Sequence, residues 1–339
     1  MNLSLSKTDY DPFIDYLKGI CIVFVILTHC ISRQLETYSL FCLWGAMAVP
    51  IFLLIQVFHA YKKKPLCHNL RLVKLWHRIV LPFLLTQFAC VILLLLMTRG
   101  DLAVFFETGN LGPGSYYPYI FLQFYLLSYL FAPIYKYINN LYVLCIIFVL
   151  LSQFFEWVSI FLNVKPEVYR LLFFRYFFII FLGYLLSIDK IVLNRYTFFL
   201  GILSTLFILS AYGIIGGGNV VSCFCYMKSW QIYHWISYFY VAYLLLFLIR
   251  WSYSKSGSSS LWGRFIILCG KYSYEIFLFQ MLFFLVSPIN VVSAKFGINT
   301  SYIEPLLLLL NVLFCTLPVI VIKRYYHKLS VDGFQNYTT

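Results

Sequence analysis

Charge is what this sequence has least of. Only 11% of its 339 residues are Asp, Glu, Lys or Arg, and just 12 are acidic. A soluble domain keeps about a quarter of its residues charged, so this chain has too little to wet a surface of its own. Metal-type cysteine spacing is missing too: the ten Cys include no CxxC pair, and Cys223 and Cys225 flank a single Phe. Several others (Cys21, Cys90, Cys145, Cys315) stand inside apolar runs and read as small buried hydrophobes, so no metal site is expected. A cleavable leader is not expected either, because the first apolar segment holds Asp15 and Lys18 and has no A-x-A-like exit.

What is present is apolar surface. Hydrophobic residues make up 62% of the chain, with 35 Phe and 29 Tyr, and the mean hydropathy is +0.86. Runs long enough to cross a bilayer fall at about 12–32, 40–61, 78–98, 116–136, 141–161, 170–188, 196–215, 231–250, 264–288 and 303–322. The expected fold is an all-α integral membrane protein of about ten transmembrane helices. It forms a single embedded domain over 1–339 with a short polar tail at 323–339. With the N-terminus inside, eighteen of the 25 basic residues lie on the cytoplasmic side, which puts both termini in the cytoplasm and the protein in the cell membrane. The formal charge of +13 therefore reads as loop anchoring to a lipid bilayer, not as a nucleic-acid footprint. Gly213 to Gly218 form a flexible outer turn without the Lys-Ser/Thr of a phosphate loop.

Ionisable groups at membrane depth are costly and so mark function. Lys18 and His29 are eleven positions apart in the first span, about three helical turns, so they share one face about 16 Å apart. Asp15 lies one turn below Lys18, where it can orient the ammonium. Taken singly, Lys18 fits a side chain snorkelling to the headgroups and His29 a neutral bundle residue. Their shared face instead favours one lined groove. Arg71, Lys74 and Arg78 form a basic stripe before Pro82, suited either to a phosphate-rich ligand or to anionic lipid. Glu275, four residues beyond Lys271, reads as a local ion pair. Arg170 and Arg175 open the sixth span, Tyr116 and Tyr117 the fourth. Gln123 can hydrogen-bond a sugar or bridge helices. His59, His68 and His77 read as surface histidines, and His234 as a deep one without an obvious partner.

In order, these landmarks resemble the acyltransferase type 3 family, membrane enzymes that move an acyl group, usually acetyl, onto cell-surface glycans or lipids. The family carries Arg or Lys, ten residues, then His; here Asp15-Tyr16-Leu17-Lys18-Gly19 is followed by His29 with that gap intact. Val49-Pro50-Ile51-Phe52, Arg71 through Pro82, Tyr176 through Tyr184 with Gly183, and Gly270 through Gln280 are similar to its further landmarks. Two positions depart from the pattern. Phe58-His59-Ala60 replaces a frequent Ser-Gly-Phe, and Gln280 stands where many members have His.

The resemblance implies an O-acyltransferase with no permanently bound cofactor, using acetyl-CoA as acyl donor. The donor's phosphates are expected on Lys18, Arg71, Lys74 and Arg78. The catalytic set is expected to be His29, Lys18 and Asp15, with His29 as general base or transient acyl carrier. A glycan or lipid-linked sugar acceptor is expected past Tyr116, Tyr117, Gln123 and Arg175, and Glu275 is counted with the substrate-facing residues. Two rivals share the composition: a transporter or flippase of a glycan-linked lipid, and a membrane acyltransferase of another class centred on His234.

Overall fold

A computed structural model of the chain describes residues 11–62, 68–98, 114–216, 221, 225, 228–256, 259–286 and 300–335. Pro65, Gly100, Gly112, Pro113, Gly217, Gly218, Cys223 and the basic residues Lys7, Lys63, Lys64, Arg99 and Lys295 lie outside them, as do the side chains of Arg71 and His68. The described chain is helical throughout, without a β-strand. The principal helices are α1 (Pro12–Thr28), α2 (Ala48–Lys62), α3 (Leu81–Thr98), α4 (Tyr117–Phe131), α5 (Leu141–Phe161), α6 (Phe178–Ser187), α7 (Arg195–Tyr212), α8 (Leu246–Ser256), α9 (Leu261–Lys271), α10 (Ser273–Val286) and α11 (Thr300–Gln335).

Local chemistry sets the helix ends. The Asp11 side chain accepts from the Phe13 amide at 3.0 Å and Pro12 takes the first position, so α1 starts where its free N–H groups are capped or missing. Asn194 and Thr197 close a capping box on α7, which ends at Gly213 in the left-handed region (φ 82°). Six stretches are long and apolar enough to cross a membrane: Phe41–Lys62, Leu72–Leu96, Tyr117–Tyr137, Leu141–Phe161, Arg195–Tyr212 and Ile303–Tyr326. The expected ninth span is not one helix. It is broken at Tyr272 into α9 and α10, bent by 82°, and counting the pair as one span raises the total to seven. The other three expected spans are helical but fall short in length or apolarity. They are α1 with 17 residues, Phe174–Ser187, and the Ser237–Ser256 stretch, which a π-turn at Val241–Leu245 interrupts.

Helix α1 sits at the centre. It packs most extensively on α9, and also on α2, α10 and α11. The α1–α9 contact is backbone to backbone. A Cβ at Gly19 would overlap the Ile266 carbonyl of α9, and one at Gly270 would overlap the Asp15 carbonyl of α1. Small residues allow such approach in membranes, where dispersion and polar contacts replace the hydrophobic drive between helices. Gly183 does the same for α6 against Val57 and Leu54 of α2. Around these contacts Ile22, Ile26, Val57, Phe124, Phe148, Tyr176 and Phe178 are fully buried. Gly19→Val and Gly270→Val should each separate α1 from α9. Each is expected to cost at least the roughly 1–3 kcal/mol of overpacking, read as a lower melting temperature in detergent, whereas Gly216→Val, facing open space, should leave it unchanged.

Candidate functional site

One face of α1 lines a cavity of about 660 Å³, with Lys18, Ile22, Val25, Thr28 and His29 along it. Lys18 and His29 are therefore brought to a single space, at opposite ends of about three helical turns. At the lower end Lys18 pairs with Asp15 (Nζ–Oδ1 2.5 Å), and Asp15 is itself buried behind the wall. Lys74, Arg78, Lys271 and His59 join Lys18 at this end. Among the described residues no group of three metal-ligating side chains occurs, so His59 and His77 form no such cluster.

The placement of Lys74 and Arg78 depends on a helix irregularity. The short helix His68–Leu75 runs into a π-turn at Trp76–Val80 before α3 begins. Pro82 has no N–H to offer the Arg78 carbonyl, the partner that ordinary α-helical geometry would require, and the wider turn absorbs that loss. The Tyr274 hydroxyl of α10 donates to the Ile79 carbonyl at 2.6 Å, pinning the turn to the cavity wall. Arg71 lies on the same short helix, but its side chain is outside the described residues.

Glu275 lines the cavity but does not pair with Lys271. The helix breaks between them at Tyr272, which destroys the i,i+4 geometry, and Glu275 instead meets Lys323 of α11 at 2.9 Å. Lys271 lies 5.7 Å from the centre of the Tyr272 ring.

At the upper end α1 stops at His29, whose N–H returns to the carbonyls of Ile26 and Leu27. The His29 ring lies 6.0 Å from that of Phe284. Gly114 passes close to both His29 Nε2 and the Phe277 ring with φ +81°, a conformation and a proximity that suit glycine. It leads directly to Tyr116 and Tyr117, both of which line the cavity, as does Tyr233.

Arg175 is not in that wall. It is buried behind it, its guanidinium 4.7 Å from the Tyr176 ring centre, 5.3 Å from that of Tyr116 and 5.4 Å from that of Tyr233. It thus braces two wall tyrosines by cation–π contact. Gln123 does not reach the cavity either. Its Nε2 donates to the Leu171 carbonyl at 2.7 Å and its Oε1 accepts from the Phe173 amide at 3.0 Å, which is the helix-bridging use. His234 has a partner after all: its Nε2 stands 3.2 Å from Gln153 Oε1, away from the cavity. Gln280 is fully buried in α10.

Little in the sequence marks the cavity's middle. Gln56 of α2, Tyr125, Ser128 and Tyr129 of α4, and Tyr233 and Tyr274 all line it. Only Gln56 had a usable signal, as an amide inside the apolar run Ile51 to Phe58. The tyrosines are lost among 29.

The chain belongs to the acyltransferase type 3 family, whose acyltransferase domain matches residues 11–325, nearly the whole chain. It is thus a multi-pass membrane protein of an acyltransferase family. No curated protein and no solved structure matches it.

The two ion pairs should separate in their worth. Asp15 is almost enclosed and Lys18 partly so, whereas Glu275 and Lys323 are each more than a third exposed. Glu275→Gln should change stability by less than about 1 kcal/mol. Asp15→Asn strips the counter-ion from a partly buried ammonium and should cost more, on the order of 2 kcal/mol. Thermal melts of the two variants in the same detergent check the order.

Proposed function

We propose that the protein is a membrane O-acyltransferase that moves an acetyl or other short acyl group from cytoplasmic acyl-CoA to a hydroxyl of a cell-surface polysaccharide or lipid-linked sugar. The observation that carries this reading is the single cavity joining a basic end (Lys18, Lys74, Arg78) to a histidine end (His29). A phosphate-rich head, a long flexible arm and a reactive thioester match that order of groups. The uneven distribution of basic residues supports a cytoplasmic Lys74–Arg78 side, with ten spans and both termini inside as the proposed arrangement.

In this mechanism Lys18, Lys74 and Arg78 hold the donor's phosphates by charge-assisted hydrogen bonds, and Arg71, three residues before Lys74 in the sequence, is assigned the same role. Asp15 keeps the Lys18 ammonium oriented. The thioester lies about 16 Å from Lys18, at His29. The acceptor hydroxyl arrives from the opposite side, past Tyr116, Tyr117 and Tyr233. His29 takes the hydroxyl proton as the oxygen attacks the thioester carbonyl. The tetrahedral intermediate then collapses, the C–S bond breaks, and the CoA thiolate leaves with the proton that His29 returns.

With radiolabelled acetyl-CoA and purified protein in lipid, wild type should transfer label to a surface glycan. His29→Ala should lower kcat by about a hundredfold or more, the usual scale of general-base catalysis. Lys74→Ala together with Arg78→Ala should raise the KM for acetyl-CoA on the order of tenfold with less effect on kcat. Transfer by His29→Ala at the wild-type rate would sink the mechanism. Absence of label on any acceptor would favour a glycan transporter.

A further inference from the structure

Midway along the cavity one polar atom is built in but left unmatched by the protein. Gln56 stands on α2 with Phe52 and His59 one turn to either side, all three facing the cavity. Its Nε2 donates to the Phe121 carbonyl of α4 at 2.7 Å. That bond fixes the carboxamide, because the reverse orientation would turn Oε1 toward a carbonyl oxygen. Oε1 is therefore an acceptor held in one direction, buried, and without a hydrogen-bond partner among the described residues. A buried acceptor left unmade is costly, so this one is explained best by a ligand that brings an N–H or O–H.

The position decides which ligand. Helix α4 starts at Tyr117, beside Gly114 and the His29 ring, and runs toward Tyr129 at the basic half. Phe121 is one turn in from Tyr117, about 6 Å along the axis. Gln56 thus lies on the donor's side of His29, not on the side by which the acceptor arrives. The wall there is polar as well: the Tyr125 and Tyr129 hydroxyls are 3.3 Å apart and, with Ser128, face the same space. A purely alkyl arm would waste these groups. A pantetheine arm does not, because its two amides follow the sulfur after short methylene spacers.

We propose that Gln56 is a specificity-determining residue that accepts a hydrogen bond from an amide N–H of the donor's pantetheine arm. The assignment rests on the acyl-CoA reading above and adds to it the means by which the arm is told from a simple thioester. Lys74 and Arg78 hold the head of the donor, and Gln56 sets how far the arm has advanced when the carbonyl reaches His29.

The test uses acetyl-CoA and two analogues, each with one pantetheine amide replaced by an ester, which removes an N–H donor and little else. Wild type should lose about tenfold in kcat/KM with one of the two analogues. Gln56→Leu should use all three donors within about twofold of one another, with the KM for the glycan acceptor unchanged. The idea is overturned if wild type uses both analogues as well as acetyl-CoA, a comparison that needs no variant to fold. It is equally overturned if Gln56→Leu discriminates as wild type does, or if its defect lies in the acceptor KM. Failure of wild type to use acetyl-CoA at all would remove the acyl-CoA reading itself, and this inference with it.

Discussion

The architecture depends on one close approach, that of α1 to α9 through Gly19 and Gly270. Each glycine lets the partner's carbonyl rest against its Cα, so the two backbones are nearer than any side chain would permit. The neighbours of those glycines follow from it. Lys18 precedes Gly19 and Lys271 follows Gly270, and both face the cavity's lower end. Asp15, whose carbonyl meets Gly270, also holds the Lys18 ammonium. A packing constraint thus doubles as a way of gathering charge, which few contacts inside a bilayer can offer.

The polar residues divide their labour along the cavity. Basic side chains stand at one end, amide and hydroxyl groups in the middle, and His29 among aromatic rings at the other end. Behind the histidine end a second set never touches the cavity. Arg175 braces Tyr116 and Tyr233, and Gln123 ties α4 to the Leu171–Phe173 turn. Tyr169 donates to Glu156 in the same region. Buried charge there serves shape: it holds the tyrosines that the acceptor side would meet. Depth in the membrane marks a polar residue as important without saying whether it contacts a ligand.

That distinction explains what was legible in the sequence. Lys18 and His29 were readable because both lie on one uninterrupted helix, where a spacing of eleven fixes their relative direction. The Lys271–Glu275 pair that the spacing predicts does not form, because the spacing rule holds only within a helix, and the break at Tyr272 carries no Pro to announce it. Arg175 and Gln123 are expected on the acceptor's path, yet their orientation depends on the short turns around Leu172 and Phe174, which have no period to read. Gln56 does carry a signal, one amide in an apolar helix, but it gains meaning only when Phe121, 65 residues later, takes its N–H and leaves its oxygen buried without a partner among the described residues. The apolar runs located the helices well, but 17-residue α1 and the bent α9–α10 pair show that crossing length cannot be assumed for each of them.

Helix α11 touches both ends of this system. Near its start Glu304 accepts from the Ser32 amide at 2.7 Å and from the Ser32 hydroxyl at 2.9 Å, just past His29; further on, Lys323 holds Glu275 at the basic end. The two anchor points are nineteen residues apart, about 28 Å along a helix, close to the roughly 30 Å of a bilayer's hydrocarbon core. One helix, with Pro305 and Pro318 between its two anchors, thus ties the turn just past His29 to a carboxylate of the cavity's basic wall, so the two ends of the cavity share a support that neither end supplies for itself.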